Sequence, residues 1–495
     1  MKLTFDIADK PRPGQLIVFA FQQMLAILAA TIAVPMIIGN GLTPAAAMFG
    51  AGVGTIVYWL FTQQKSPVFL GSSFAFLGSM AAAFAGGVSM QLGMLGLIIG
   101  AVMAGLVYVL LALIIGTVGV GWLNKLMPPV VIGPTVAIIG LSLAGNAVGD
   151  LQKGDVKLNE TDMAASPYAA IICGLVTLAT VMLCSTYGKK NLKLIPFIIG
   201  ILAGYACAAI LTLIGNSAGI DALRIVDFNV FKSYMLPDGS VTLSTFISLP
   251  NLTFIEAFKG TGELSGTYLT TLFAAYVPVA FVVFAEHVAD HKNLSSIIGR
   301  DLLEKPGLTR TLLGDGIGSM AGAFFGGCPN TTYGESIACV AITGNASTIT
   351  IFAAAIGCIL FSFITPLVAF VDSIPACVMG GVCIALYGFI AVSGLKMLQT
   401  VDLGRNPNLF TASVILISGI GGLSLHFGSV TITEIATALI LGILTNRMLS
   451  RAKAEVAPVP VTGNADVPAS MRQKSTAKPA APKQQNQNRK KKKKH

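Results

Sequence analysis

From residue 14 to residue 448 the chain is a succession of apolar windows about 20 residues long, the length a helix needs to cross hydrocarbon. Inside a bilayer every backbone N–H and C=O must find its partner within the protein, and only helices and closed barrels achieve this along a whole span. The windows fall near 14–38, 44–62, 67–85, 92–116, 129–148, 167–186, 194–215, 268–289, 311–327, 329–348, 349–371, 375–397, 408–425 and 429–448, about fourteen in all. The expected fold class is therefore an all-α polytopic membrane protein. Charged residues make up 11% of the chain, against about 25% in soluble domains, and no soluble domain is visible. Residues 1–13 are short and polar, so no cleavable signal peptide is expected.

The net charge of +10 is carried by one end. Residues 451–495 hold 12 Lys and Arg against 2 Asp and Glu, so the rest of the chain is balanced. This Pro/Ala/Gln/Lys-rich stretch cannot bury a core and is expected to be a disordered tail. It can contact anionic lipid, and no specific nucleic-acid binding is expected. With fourteen spans and a cytoplasmic N-terminus, inside segments before the tail carry 15 Lys and Arg and outside segments 5, as the positive-inside rule requires. Both termini are then cytoplasmic. The eight cysteines all lie in apolar stretches without a Cys-x-x-Cys pair, and the chain has only four histidines, so packing rather than a metal or disulfide framework is expected.

Two windows do not read as plain helices. The window at 67–85 opens on Pro67 and reaches Ser72-Ser73-Phe74, and that at 329–348 opens on Pro329 and reaches Thr331-Thr332-Tyr333. Proline, hydroxyl residues and glycine predict a short extended piece followed by a half-helix. These windows are the third of the first seven and the third of the second seven. A second echo pairs Pro128 to Gly133 with Pro375 to Gly380, at the fifth window of each half. Seven is odd, so the halves would run in opposite orientations. Interrupted segments at matching positions of two halves point to a midplane binding site.

Glu286 and Glu335 sit in apolar surroundings, the second inside an interrupted segment. A carboxylate at membrane depth costs about 2.5–3.5 kcal/mol even on mild insertion scales and commonly marks a substrate or proton pathway. Half-helix N-termini offer N–H donors and a positive dipole end to acceptor oxygens. Glutamates accept from N–H groups. A planar ligand with alternating C=O and N–H groups fits both, and Phe74 and Tyr333 can sandwich its ring. Uracil has that pattern; xanthine and other oxidised bases share it less uniquely. Burial disfavours the charged form of a carboxyl group, so a proton can travel with the ligand. Asp290 lies one turn from Glu286 on the same face, His287 lies on another face, and His291 follows at the expected cytoplasmic end. The plain alternative for Asp290, His291 and Lys292 is a solvated helix terminus. Asp315, Asp372 and Glu434 fall near window ends, where interface exposure is expected.

At these residues the chain resembles the nucleobase–ascorbate transporter family, in its bacterial uracil-permease branch. The matching strings are Leu70 to Phe76, Ala285-Glu286-His287-Val288, Asp301 to Leu303 with Pro306 to Leu308, and Pro329 to Glu335 followed by Ala341-Ile342-Thr343. The resemblance runs from about residue 13 to 448 and excludes the tail. It implies fourteen transmembrane segments in a 7+7 inverted repeat. Spans 1–4 and 8–11 would form a core and spans 5–7 and 12–14 a gate. The domains are then 1–13 (cytoplasmic N-terminus), 14–215 (first repeat), 216–267 (extracytoplasmic connection), 268–448 (second repeat) and 449–495 (basic tail). The resemblance also implies uracil–proton symport by a transporter of the cell membrane, often a homodimer. It implies no cofactor beyond the coupling proton. Glu286 and Glu335 would take the base's N–H groups, the amides of Phe74 and Gly334 its oxygens, and Tyr333 and Tyr387 the walls. Glu286, Asp290 and His291 would handle the proton, while Asn330, Thr331 and Thr332 belong to the signature. The chain departs from the family pattern at Asp290, which stands where a proton-linked histidine is associated with the branch. Gly344 replaces a usual Arg or Lys, and Gln23 replaces a first-span His. A xanthine or urate carrier and an anion exchanger of the same fold remain as alternatives. An enzyme is not expected, since no nucleophile motif or cofactor signature accompanies the acids.

Overall fold

A computed structural model describes residues 3–119, 121–157, 164–189, 192, 195–234, 241–427 and 430–449. The basic tail expected at 449–495 lies, from residue 450 on, outside the described residues, as do Lys190 and Lys193.

Helix starts follow local chemistry. α1 (Pro13–Ile38) and α2 (Pro44–Phe61) open on proline, whose missing N–H is an orphan there anyway. Thr43 caps α2, its side chain accepting from the Ala46 N–H at 3.2 Å. α3 (Leu77–Ala83) follows a 3₁₀ turn at Phe74–Phe76. α4 (Met90–Val118) is capped by Ser89, which accepts from the Leu92 N–H. α5 (Pro129–Ser142) continues through a break at Leu143 into α6 (Ala144–Asp150), where one window was expected. α7 (Pro167–Tyr187) and α8 (Pro196–Ala218) complete the first half.

In the second half, α9 (Gly266–Ile298) is capped by Ser265 and runs for 33 residues. α10 (Leu308–Gly326), α11 (Gly334–Thr343) and α12 (Thr348–Phe361) follow. The expected window 349–371 is two helices, because Pro366 restarts the chain as α13 (Thr365–Asp372). α14 (Ala376–Leu398), α15 (Asn406–Ile420) and α16 (Glu434–Leu449) end the described chain. Eight helices among the described residues are long and apolar enough to cross a membrane.

The interrupted segments form strands. β1 (Leu70–Ser72) pairs antiparallel with β2 (Asn330–Thr332), matching Leu70 with Thr332, Gly71 with Thr331 and Ser72 with Asn330. All six residues are buried. A second pair, β3 (Leu425–Phe427) with β4 (Val430–Ile432), lies where the last two expected windows met.

Packing divides the helices into two groups. α2 lies against α10 and α12, and α4 against α9 and α10; α14 lies against α5 and α7, and α15 against α16 and α5. The approach of α2 to α10 is set by glycine. A Cβ on Gly54 or on Gly322 would meet the Asn330 carboxamide, which donates to the Gly50 carbonyl at 3.1 Å. Asn330 thus stitches β2 into the seam between those helices. Thr55 does the same for β1: its hydroxyl accepts from the Leu70 N–H at 3.0 Å and donates to the Leu70 carbonyl at 3.1 Å.

Thr55→Val keeps the volume but leaves two buried backbone groups unpaired. It is expected to lower unfolding stability by about 1–3 kcal/mol. Thermal unfolding of the purified chain in detergent checks this; an unchanged midpoint would contradict the stitching role.

Candidate functional site

The strand crossing places two helix starts side by side. The Phe74–Phe76 turn leads into α3, and Gly334 opens α11 immediately after Tyr333. The first N–H groups of a helix have no partner within it, so both starts present donors. The strands that deliver them are tied down on all sides. Ser73 N–H donates to the Pro329 carbonyl at 2.9 Å, and Tyr333 N–H to the Phe69 carbonyl at 3.2 Å. Ser336 Oγ accepts from the Phe69 N–H at 3.1 Å and from Gln23 Nε2 at 2.5 Å. Gln23 is buried and serves α11 through Ser336.

A cavity of about 330 Å³ lies in front of these helix starts. Phe74, Glu286, Asp290, Tyr333, Gly334 and Glu335 line it, with Thr331 and Thr332 behind the last three. These residues come from three separate stretches of sequence. The carboxyl groups of Glu286, Asp290 and Glu335 lie within electrostatic reach of one another. No Lys, Arg or His is among the described residues lining the cavity. Thr332 donates to Asp290 Oδ2 at 2.7 Å, which fixes that carboxylate one turn from Glu286.

The two aromatic residues expected as walls are held in place by neighbours. Tyr333 lines the cavity, with its hydroxyl donating to the Ser72 carbonyl at 2.7 Å and its ring covering Gly71. Tyr387 is not a lining residue; it packs edge-on to Phe74 with ring centroids 5.5 Å apart. It therefore supports an aromatic wall rather than forming one. Asn330 faces α2, not the cavity.

His291 also points elsewhere. It is not at a solvated terminus, because α9 continues to Ile298 and the ring is fully buried. Its Nδ1 lies 2.8 Å from the His287 carbonyl, which can only accept, so Nδ1 carries a proton. Its Nε2 lies 2.7 Å from Tyr58 Oη, which lies 2.7 Å from Ser66 Oγ. A Tyr58 hydroxyl donating to Nε2 and accepting from Ser66 satisfies all three groups with a neutral ring.

Asp315, expected near an interface, is 1% exposed. Its Oδ2 lies 2.7 Å from His287 Nδ1, and His287 Nε2 lies 3.0 Å from Thr311 Oγ1. This second polar network runs behind α9, away from the cavity. The pairing of His287 with Asp315 was not legible in sequence, because the two lie 28 positions apart.

The opposite wall was also missed. Val136 and Ile139 of α5, Phe197 of α8, and Phe389, Ile390 and Ser393 of α14 face the carboxylates. A signal existed: the proline echo at Pro128 and Pro375 marks the N-caps of those two helices, α5 and α14. Ser185, Pro196 and Met397 continue the lining to the ends of α7, α8 and α14. The cavity thus reaches toward the side on which α9 also ends.

Comparison with known proteins now has a site to bear on. The model of a permease family, that of xanthine and uracil permeases, matches residues 14–427. A uracil permease of Bacillus subtilis (strain 168) is 36% identical over 460 residues, covering 92% of this chain and 97% of that protein. A uracil permease of Bacillus caldolyticus is 40% identical over 453 residues, covering 90% and 95%. Among solved structures, the transmembrane domain of the cyanobacterial bicarbonate transporter BicA aligns with a TM-score of 0.58 at 13% identity, covering 89% of this chain and all of that one. The murine anion transporter Slc26a9 in its inward-facing state aligns with a TM-score of 0.57 at 11% identity, covering 89% and 69%. At those identities the likeness concerns the fold alone.

Removing one member of a buried hydrogen-bonded pair strands the other. Asp315→Leu is expected to cost about 1–3 kcal/mol of stability by leaving His287 Nδ1 without its partner while Nε2 keeps Thr311. The double change Asp315→Leu with His287→Leu should recover part of that loss. Thermal unfolding of the native chain, of Asp315→Leu and His287→Leu singly, and of the double variant checks the coupling; additive losses would remove it.

Proposed function

Because the chain belongs to the permease family of xanthine and uracil carriers, we propose that it is an integral membrane transporter that imports uracil by proton symport. The observation that carries this reading is the meeting of three carboxylates and two half-helix starts on one cavity. Uracil presents two N–H donors and two carbonyl acceptors on one planar ring. Glu286 and Glu335 accept from the N–H groups, and the backbone amides at Phe74 and Gly334 donate to the oxygens. Phe74, backed by Tyr387, covers a ring face.

Three acids without a cation in the same cavity make an anionic substrate unfavourable, which argues against an anion exchanger despite the shared fold. The same acids offer a place for a proton. Glu286 and Asp290 lie on the helix that crosses the site, so they are the coupling pair in this reading. Glu335, at the first turn of α11, serves base recognition. His291 follows Asp290 in α9 but its ring is held by Tyr58 and the His287 carbonyl, so in this reading it acts through α9.

Transport then proceeds by alternating access. The apolar wall from α5, α8 and α14 moves against the helices that carry the acids. Support comes from the cavity itself, whose lining joins both helix groups and includes Ser185, Pro196 and Met397 near the ends of α7, α8 and α14. That side holds the ends of α7, α9 and α14, where Lys189, Arg300 and Lys396 lie. By the positive-inside rule it is the cytoplasm, and the conformation is inward-facing. Fourteen spans in two inverted sevens, cytoplasmic termini, a homodimer and a tail that meets anionic lipid complete the proposal.

Radiolabelled uracil uptake in cells lacking their own permease provides the test. Glu286→Ala and Glu335→Ala are each expected to reduce uptake at least roughly a hundredfold, since each removes a charged acceptor from a desolvated site. Full uptake in either variant would refute the site. Unlabelled uracil should compete better than xanthine or urate, and the reverse order would favour the purine reading. Collapsing the proton gradient should stop accumulation; persistence would exclude proton coupling.

A further inference from the structure

α11 is ten residues long and carries Glu335 in its first turn. A helix this short is marginal without tertiary support. Its start faces the cavity, so its hold on the protein must come largely from its other end. That hold is supplied by the beginning of the chain. The N–H groups of Thr4 and Phe5 donate to the Gly344 carbonyl at 2.7 and 3.2 Å, and Thr4 Oγ1 donates to the Thr343 carbonyl at 3.0 Å. Carbonyls at a helix end have no partner within the helix, and these two are satisfied from outside it. Phe5 then pairs parallel with Asn345, and its carbonyl accepts from the Ala346 N–H at 2.9 Å. The Ile7 carbonyl accepts from the Thr348 N–H and from Thr348 Oγ1, both at 3.2 Å, and the Asp9 carbonyl from Ser347 Oγ at 2.6 Å. Residues 4–9 thus run the length of the turn that joins α11 to α12.

The same segment reaches α9. Asp6 forms an ion pair with Arg300, just past the end of that helix. Its two side chains are 37% and 56% exposed, so the pair contributes little beside the backbone bonds. Ile7 contributes more. It is buried in a cluster with Leu294 and Ile298 of α9, Ile337 and Val340 of α11, and Tyr58 of α2. One side chain from the beginning of the chain therefore sits where the helices of Glu286 and Glu335 pack together. The segment leads into α1, whose Gln23 holds the first turn of α11 through Ser336. One continuous stretch of chain grips α11 at both ends.

We propose that residues 4–9 are a positioning strap for the candidate site: they hold α11, and with it Glu335, in register against Glu286 on α9. None of them lines the cavity, so the strap acts through the length of α11, about 15 Å. A ligand that bridges two carboxylates needs both within about 0.5 Å of their places. Freed of the strap, α11 loses the partners of its last carbonyls and its shared cluster with α9, and the spacing of the two acids is no longer fixed. Only the choice of uracil as the bridging ligand rests on the function proposed above.

Hydrogen–deuterium exchange in lipid nanodiscs reads the strap without a substrate. Two variants are compared with the native chain, one lacking residues 3–9 and one carrying Ile7→Ala. In both, the peptide spanning 335–343 should exchange at least about tenfold faster, while a peptide spanning 97–112 of α4 should be unchanged. Uracil affinity should fall at least about tenfold in both, with the maximal uptake rate per folded transporter altered less than about twofold. A purely structural role would speed exchange in α4 as well and leave the folded fraction with native affinity. Unchanged exchange in α11, equal acceleration in α4, or native affinity despite faster exchange in α11 overturns the strap. Should the shortened chain fail to fold, Ile7→Ala decides by the same readings. A native chain that binds no uracil would refute the transport reading, and the exchange result alone then decides the strap.

Discussion

The crossing of β1 and β2 is the constraint on which the rest depends. Breaking two helices in the middle of a membrane protein exposes backbone groups that hydrocarbon cannot satisfy. The chain meets that demand by pairing the two breaks with each other, Leu70 to Thr332 and Ser72 to Asn330, and by adding hydroxyl and amide partners around them. Thr55 and Ser336 bond β1 and its neighbouring backbone from surrounding helices, and Asn330 bonds from β2 to the Gly50 carbonyl of α2. Glycines at 54 and 322 make room for Asn330. Polar side chains in this region thus have a structural duty before they have a functional one.

That framework produces a site by geometry. Two helix starts arrive together, and α9 passes beside them carrying Glu286 and Asp290. The donors are backbone groups held by a strand ladder, so they need no reorganisation when a ligand arrives. The acceptors are carboxylates on a separate long helix. In the proposed function, recognition is divided between a rigid backbone element and side chains on α9 and α11. The bicarbonate and anion transporters share the frame at 13% and 11% identity.

α14 connects the two ends of the molecule. Its last turns line the cavity, and its first turn is capped by a segment from the other half of the chain. Because Pro375 supplies no cap, that helix depends on a tertiary contact where most helices use a local one. The network of His287, Asp315, Tyr58 and His291 has a different character: it lies wholly inside one helix group and fixes the back of α9.

By itself the sequence determined the helical membrane class, the two interrupted segments and the two glutamates. All three rest on local physics: runs of apolar residues, proline and glycine breaks, and charges where hydrocarbon penalises them. It also placed Asp290 beside Glu286, since helical periodicity alone puts them on one face. Tertiary structure alone decided that the breaks pair as strands, that Tyr333 is occupied by Ser72, and that His291 turns away from the cavity. It alone joined Asp315 to His287 and Asp155 to Ala376, partners 28 and 221 positions apart. The proline echo marked α5 and α14 as a pair but not which of their residues form the apolar wall, because Val136 or Ile390 in an apolar helix looks the same whether it faces lipid, a neighbour or a cavity. Hydropathy reports the cost of leaving water, and that cost is equal in all three places; only the packing of one helix against another decides among them.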